Sequence, residues 1–345
     1  MKDANDERFM RLALAEARKG VGRTSPNPAV GAVLVIDGKV IAHGHHREAG
    51  KPHAEVECLR SIVQPIPKRA VLYVTLEPCS TIGRTPPCTE ALIEAGIANV
   101  VVGAIDVNPS HSGRGLDALR RAGIAVRSGV LASECVALNE AFNHWIRTKR
   151  PLVIAKCGMS LDGRLTRPPG ESRWITSAAA RKHANRLRAT VDAILIGAET
   201  LRADDPRLTV RGLRGARQPW RVVLTRSERL PAHAHLFTDR FAKRTFVFRD
   251  QPLATVLAQL GEQEITSVLI EGGGDVLGQA LDARLVDRVQ IYLGPMLTGG
   301  PVWAFGARGA GSTQEATRLH EVKYERIGQE IFLSAKATVE NHISE

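Results

Sequence analysis

The segment TLEPCSTIGRTPPCTEALIEAG occupies residues 75–96 and follows a His-Ala-Glu triplet that begins at His53. It contains Cys79 and Cys88, and zinc in proteins prefers nitrogen and sulfur ligands in a tetrahedral arrangement. One histidine and two thiolates leave the fourth position for water, as in catalytic zinc sites. Glu55 opens a predicted helix two residues beyond the histidine, where it can reach that water without binding the metal. The sequence therefore predicts a catalytic zinc site with Glu55 as the group that transfers a proton.

The order of these residues matches a known chemical signature, whereas one spacing does not. Zinc-dependent deaminases of nucleobases carry H-x-E followed by P-C-x-x-C. Here Cys88 is the ninth residue after Cys79, whereas the signature places its second cysteine at the third. A lone histidine or cysteine is more often a core residue, so the prediction rests on the whole combination. The other cysteines lie in apolar segments and are expected in the core: Cys58, Cys135 and Cys157.

The length of 345 residues favours two domains. We place the boundary before Pro151, which gives domains of residues 1–148 and 149–345. In the first, Asp37-Gly38 joins two apolar runs and predicts a hairpin. Strand and helix patterns then alternate in both halves, which predicts α/β folds with helices packed on layered sheets. Residues 131–150 are predicted to form one long helix.

The net charge of +11 indicates an anionic partner, such as a phosphorylated metabolite, a dinucleotide or RNA. Aromatic residues make up only 4% of the chain, and single-stranded RNA is usually held on aromatic side chains, so RNA is disfavoured. The first twenty residues contain acids and an amphipathic period, unlike a signal peptide. No window is apolar enough to span a membrane. We therefore expect a cytoplasmic protein without a membrane partner.

A glycine-rich turn in the second half follows an apolar strand pattern. Glu271 is followed by three glycines and then by an apolar helix pattern. Backbone N–H groups at such a helix start can bind phosphate. The pattern is not G-x-G-x-x-G and lies far from the start of its domain, so a classical dinucleotide-binding fold is disfavoured.

Taken together, several segments resemble one enzyme family. SPNPAVG (25–31), HREAGKPHAEVECL (46–59) and residues 75–96 resemble the bifunctional deaminase–reductases of riboflavin biosynthesis, whose deaminase motif has the longer Cys–Cys spacing. Four later segments resemble the reductase domain of that family: KCGMSLDGRL (156–165), GESRWITS (170–177), residues 186–211 and LIEGGGDVLGQAL (269–281). The resemblance implies a cytidine-deaminase-like α/β/α domain followed by a dihydrofolate-reductase-like α/β domain.

The resemblance also implies the reactions and the cofactors. Zinc-dependent hydrolysis would remove the 2-amino group of 2,5-diamino-6-(ribosylamino)pyrimidin-4-one 5'-phosphate. NADPH would then reduce the ribosyl group of the product to ribityl. Association into a homo-oligomer through the reductase domain, without nucleic acid, is also implied.

Candidate binding residues follow from matching positions. In the deaminase half the substrate positions are Asn27, His46, Arg84, Asp106 and Asn108. In the reductase half the NADPH positions are Gly158, Trp174, Thr200, Asp204, Gly273, Gly274, Asp275, Val276, Leu277, Gly278 and Gln279. The reductase substrate positions are Ser172, Arg188, Leu208, Arg211 and Glu271, with Lys156 close by.

The chain departs from the family pattern at Thr81 and Asn185, where histidine is usual, and at Val107, where proline is usual. None of these is a zinc ligand or Glu55. The change at Thr81 leaves the substrate pocket less defined than the metal site. Two other functions remain open: a nucleic-acid base deaminase, and a non-catalytic RNA-binding protein with structural zinc. A structural site usually has four protein ligands, and the acid at Glu55 disfavours it.

Overall fold

The computed structural model of the chain describes residues 2–62, 65–81, 86–166, 174–227 and 229–338. The chain separates into two compact units, Met1–Lys149 and Arg150–Glu345. Each unit contains one sheet with its own hydrophobic core. Within the described ranges, no helix combines the length and the apolar character needed to cross a membrane.

The first unit alternates helices and strands around a five-stranded sheet. Its elements are α1 (Lys2–Arg18), β1 (Gly31–Ile36), β2 (Lys39–His45), α2 (Ala54–Leu59), β3 (Val71–Leu76), α3 (Cys88–Glu94), β4 (Asn99–Ala104), α4 (Arg114–Arg121), β5 (Ala125–Ser128), α5 (Ala132–Leu138) and α6 (Glu140–Thr148). The strand order is β2-β1-β3-β4-β5. Strands β3, β4 and β5 are parallel, and β1 is antiparallel to both of its neighbours. The predicted hairpin is confirmed, with Asp37 and Gly38 both at positive φ.

Helices cover both faces of this sheet, as the α/β prediction requires. On one face Leu72 and Val74 pack in the core beside residues of α2, α3 and α4. On the other face Tyr73 packs with α1 and with Cys135 of α5. Burial on both faces explains why β3 and β4 are continuous apolar runs without polar alternation.

The prediction of a single helix over residues 131–150 is wrong, because Asn139 interrupts it between α5 and α6. Its backbone leaves the helical region at φ −108° and ψ 27°. Its buried side-chain amide accepts a hydrogen bond from Ala29 N at 2.8 Å and donates one to Ala29 O at 3.0 Å. The helix therefore breaks at Asn139, whose side chain bonds to both backbone groups of Ala29. Ala29 lies two positions after Asn27.

The second unit is built on an eight-stranded sheet. Its elements are β6 (Leu152–Ser160), α7 (Ala178–Arg188), β7 (Ala193–Gly197), α8 (Ala198–Asp204), β8 (Trp220–Thr225), α9 (His235–Thr238), a 3-10 turn (Ala242–Arg244), β9 (Thr245–Arg249), α10 (Leu253–Glu262), β10 (Ser267–Glu271), α11 (Gly274–Asp282), β11 (Arg288–Gly294), β12 (Arg318–Ile327) and β13 (Glu330–Thr338). The strand order is β12-β13-β11-β6-β10-β7-β8-β9. Strands β6 to β11 are parallel, and β12 and β13 form an antiparallel edge.

The two faces of this sheet have different roles. Alternate residues of β6, including Val153, Ala155 and Cys157, pack in the main core with α10 and α11. The intervening residues Lys156 and Gly158 face the side on which Tyr292 packs with α7. The polar candidate residues of β6 therefore lie on the α7 face.

Replacing Asn139 with alanine tests the contact that interrupts the long helix. The variant leaves Ala29 N and O buried without their partner, so we expect a loss of about 2–4 kcal/mol in the free energy of unfolding. Urea denaturation of the first unit measures it. The control is Asn99→Ala, which removes hydrogen bonds to Lys68 O and Ala70 O at a half-buried position and should cost less. Equal, small losses in both variants would contradict the proposed role of Asn139.

Candidate active sites

Three separate segments bring His53, Cys79 and Cys88 together in the first unit. His53 precedes α2, Cys79 follows β3 and Cys88 begins α3. Their ligand atoms all lie within 4.8 Å of one another. Nδ1 of His53 is 3.2 Å from Cys88 Sγ and 3.5 Å from Cys79 Sγ. Among the residues that the structure describes, no other group of three or more His, Cys, Asp or Glu has a comparable metal-binding arrangement.

The charges of this cluster favour a cation. The hydrogen bond between the two thiols lowers the pKa of Cys79 to about 4 and raises the pKa of Cys88 well above its ordinary value. The hydrogen bond to Cys79 also raises the pKa of His53. These shifts favour a thiolate at Cys79 and a thiol at Cys88. A nitrogen and two sulfur donors are the ligands that zinc prefers, and a divalent cation would displace the thiol proton.

Glu55 lies in the first turn of α2 beside this cluster. Only 3% of its surface is exposed, and burial raises the pKa of its carboxyl group. The carboxyl is within hydrogen-bonding reach of the Cys88 thiol. A carboxyl whose pKa moves toward neutrality can both accept and donate a proton in one catalytic cycle.

Asn27 and His46 form a polar pair next to His53. Asn27 Nδ2 lies 3.2 Å from His46 Nε2, and His46 Nδ1 lies 3.1 Å from Pro52 O. Burial lowers the pKa of His46, which favours the neutral ring. The carbonyl of Pro52 can only accept, so the proton belongs on Nδ1 and Nε2 accepts from Asn27. The His46 and His53 rings meet edge to face, with centroids 5.0 Å apart.

Glu77 is an important residue of this site that the sequence analysis did not identify. Its buried carboxylate accepts hydrogen bonds from four backbone N–H groups, those of Asp106, Gly113, Gly115 and Leu116, at 2.9 to 3.4 Å. It therefore ties the end of β3, next to Cys79, to the loop after β4 and to the first turn of α4. The glutamate directly before Pro-Cys was the available sequence signal.

The loop held by Glu77 contains two of the predicted substrate residues. Asn108 N donates to Asp106 Oδ1 at 2.8 Å. Burial raises the pKa of Asp106, and Cys79 is close enough to contribute to this shift. Thr81 Oγ1 lies 3.2 Å from His111 Nδ1, so the residue that replaces the usual histidine contacts the same loop. Arg84 lies outside the described residues.

In the second unit, Glu271 and Arg188 form a buried, bidentate ion pair. Arg188 Nε and Nη2 donate to the two carboxylate oxygens of Glu271 at 2.8 and 2.7 Å. Lys156 Nζ lies 3.9 Å from the same carboxylate. Burial alone would raise the pKa of Glu271, but these two cations outweigh it and lower the pKa to about 2, with a further contribution from Arg211. Two cations thus contact one carboxylate, and the excess positive charge suits an anionic ligand.

The predicted NADPH positions lie at several places in this unit. Thr200 packs on the Gly272–Gly273 turn, where both glycines have positive φ. Gly158 faces Thr176, and Arg181 lies over the half-exposed ring of Trp174. Asp204 is exposed at the end of α8. Of the predicted reductase substrate positions, Leu208 is buried with φ at 49°, and Ser172 lies outside the described residues.

Packing explains several residues in the predicted 273–279 run. A Cβ on Gly274 would come within 1.8 Å of Trp303 O, and one on Gly278 within 2.5 Å of the Ala307 side chain. Both glycines therefore allow the segment Trp303–Ala307 to cross α11 closely. Leu277 is fully buried in the core, and its N–H bonds to Gly273 O. Only the start of the run has backbone N–H groups without a helical partner.

The Glu271 ion pair predicts a pH-dependent stability. Because folding lowers the pKa of Glu271 from 4.5 to about 2, its carboxylate stabilises the folded unit fully above pH 4.5. That stabilisation is lost as the pH falls toward about 2. We expect the Tm of the second unit to fall more steeply over this window in the wild type than in Glu271→Gln, as measured by calorimetry. Glu262→Gln, at an exposed position, should follow the wild type. Parallel profiles for the wild type and Glu271→Gln would disprove the assignment.

Comparisons with known proteins identify both units. Residues 3–104 match the family model described as the cytidine and deoxycytidylate deaminase zinc-binding region, and residues 151–333 match the RibD C-terminal domain. The riboflavin biosynthesis protein RibD of Aquifex aeolicus is 38% identical, over 96% of this chain and 98% of that protein.

Two solved structures cover nearly the whole chain. RibD of Acinetobacter baumannii (form 1) has 36% identity and a TM-score of 0.90, covering 98% of this chain and 100% of that one. A diaminohydroxyphosphoribosylaminopyrimidine deaminase/5-amino-6-(5-phosphoribosylamino)uracil reductase of Thermotoga maritima has 35% identity and a TM-score of 0.87, with the same coverage. The predicted fold class and the resemblance are confirmed, with zinc as the cofactor of the deaminase domain and NADPH of the reductase domain. The chain therefore belongs to the RibD family of bifunctional deaminase–reductases of riboflavin biosynthesis.

Proposed function

We propose that the first unit deaminates 2,5-diamino-6-(ribosylamino)pyrimidin-4-one 5'-phosphate by hydrolysis, and that the second reduces the ribosyl group of the product to ribityl. The observation that carries the first step is the convergence of His53, Cys79 and Cys88 beside the buried carboxyl of Glu55. For the second step it is the contact of Arg188 and Lys156 with the single carboxylate of Glu271.

In the deaminase site, His53, Cys79 and Cys88 would hold the zinc ion. Bound zinc supplies a water molecule whose pKa is lowered toward neutrality. Glu55 would take one proton from the attacking water and give it to the ring nitrogen as C2 gains a hydroxyl group. It would then move the proton of that hydroxyl to the amino group, so that the C2–N bond breaks, ammonia leaves and a carbonyl forms at C2.

The residues around the zinc cluster would select the substrate. The Asn27 amide, oriented by its hydrogen bond to His46, presents further polar groups to the pyrimidine ring. Asp106 and Asn108, in the loop that Glu77 holds, would contact the ribose phosphate. Arg84 is proposed to contact the same group from the sequence match alone.

In the reductase site, Arg188 and Arg211 are proposed to bind the substrate phosphate through their guanidinium groups. Glu271 or Asp204 would orient the sugar hydroxyls, with Lys156, Ser172 and Leu208 nearby. NADPH supplies the hydride for the anomeric carbon. Its proposed contacts are Gly158, Trp174, Thr200, Asp204 and the start of the 273–279 run.

We also propose a cytoplasmic homo-oligomer that associates through the second unit. The edge strand β12 supports this proposal, because it is exposed along nearly its whole length and includes Tyr324, which is 72% exposed. An unpaired edge strand can pair with another chain. Sedimentation of the full chain and of a Tyr324→Lys variant tests the proposed association. A wild-type chain that sediments as a monomer would refute it.

Replacing Glu55 with glutamine tests proton transfer in the deaminase site. We expect ammonia release to fall by about 10²- to 10⁴-fold, because glutamine cannot exchange a proton. Zinc content, measured by elemental analysis, should not change, since Glu55 is not a ligand. The control Glu57→Gln changes a neighbouring helix residue that is paired with Arg47 and Arg60, and it should retain activity. Full activity of Glu55→Gln would exclude the proposed role.

The two activities should be separable by single substitutions. Glu55→Gln should oxidise NADPH at the wild-type rate when it is given the deaminated product, because the reductase residues are unchanged. Arg211→Gln should release ammonia normally but show a raised KM for that product, because it removes a phosphate contact. NADPH absorbance and ammonia release measure the two steps. Loss of both activities in either variant would argue against two independent sites.

A further inference from the structure

Asn185, on α7, bonds to both backbone groups of Arg211. Its Nδ2 donates to Arg211 O at 2.5 Å, and its Oδ1 accepts from Arg211 N at 3.0 Å. One planar amide thus forms with Arg211 the pair of hydrogen bonds that a neighbouring β-strand would form. An asparagine side chain can do this because its donor and its acceptor lie side by side. The ring nitrogens of a histidine point in diverging directions and cannot pair with one residue in this way.

The segment around Arg211 has no regular secondary structure, and side chains hold it in place. Gln218 makes the same two-bond contact with Val210, at 2.9 and 3.1 Å. Arg188 Nη1 donates to Thr209 O at 3.2 Å. Three consecutive residues are therefore fixed by three different side chains. Because Gln218 and Arg188 hold Val210 and Thr209 independently, loss of the Asn185 contact should release Arg211 without unfolding the segment.

The position of the Arg211 backbone decides where its charge lies. The side chain is exposed, yet its guanidinium is close enough to Glu271 to help lower the pKa of that carboxyl. It thereby joins Lys156 and Arg188 as the third cation of the reductase site. An exposed arginine has many rotamers, so a fixed backbone is needed to keep its charge at one place.

We propose that Asn185 is a positioning residue of the reductase, which holds the Arg211 backbone so that the guanidinium meets the phosphate of the substrate. This proposal rests on the proposed reductase function. Asn185 contacts Arg211 and does not itself contact the substrate. Its two-bond contact is specific to an amide, and this gives a function to a position at which the chain departs from the family's usual histidine.

The test compares Asn185→Ala with the wild type in the full-length chain. For the deaminated, phosphorylated product we expect KM to rise about five- to tenfold, because a misplaced guanidinium loses much of a charged hydrogen bond. The kcat and the KM for NADPH should change little. For the same compound without its phosphate, wild type and variant should have equal KM values. Ala179→Ser, at an exposed position of α7, is the control and should match the wild type throughout.

A double-mutant cycle separates positioning from a general structural effect. In an Arg211→Gln background, Asn185→Ala should add almost nothing to KM, because the group that it positions is already absent. Ammonia release should be normal in all variants. If Asn185→Ala does not fold, Asn185→Ser provides the same comparison.

The outcomes are distinct. Equal KM increases with and without the phosphate, or additive effects in the cycle, would show a merely structural role and overturn the proposal. An effect of Arg211→Gln with none of Asn185→Ala would overturn the positioning role alone. No effect of Arg211→Gln would refute both the phosphate contact and the role of Asn185.

Discussion

The deaminase unit depends on bringing one nitrogen and two sulfur donors together in a largely enclosed place. Such a cluster cannot carry two thiolates without a compensating cation, because uncompensated charge is costly inside a protein. The pKa values of the two cysteines shift in opposite directions, which favours one thiolate and one thiol in place of two thiolates. The three donors come from the ends of β3, α2 and α3, so the geometry of the cluster depends on how these elements pack together. Glu77 strengthens this arrangement, since its carboxylate ties the end of β3 to the next loop.

The second unit presents the opposite electrostatic case. The carboxylate buried at its candidate site is Glu271, and Arg188 and Lys156 together exceed what one negative charge needs. Arg188 bonds to Glu271 through Nε and Nη2, and Arg211 is exposed. The remaining positive charge is available to an anionic ligand. The first unit thus has a negative cluster suited to a cation, and the second a positive cluster suited to a phosphate.

In both units, side-chain amides fix the irregular segments that carry candidate site residues. Asn139 pairs with Ala29 near Asn27, Asn185 pairs with Arg211, and Gln218 pairs with Val210. Loops lack the repeating hydrogen bonds of helices and strands, so their backbone groups need partners from elsewhere. An amide is suited to this because it provides one donor and one acceptor in the same plane. These contacts give precise positions to residues that secondary structure alone would leave mobile.

The sequence by itself determined the zinc motif, the hairpin at Asp37-Gly38, the alternating α/β elements and the family. These features are local, since each is encoded by a few neighbouring residues or by a short apolar period. Helix α10 was not predicted, although Leu253, Val256, Leu257 and Leu260 recur at a helical period. Strand β12 was not predicted either, because it is an exposed edge strand with mostly polar residues. Only the tertiary structure decided the break at Asn139, the role of Glu77, the Arg188–Glu271 pair and the Asn185–Arg211 contact. Each of these joins residues far apart in the chain, and no local pattern specifies which distant backbone group or charge a polar side chain will meet.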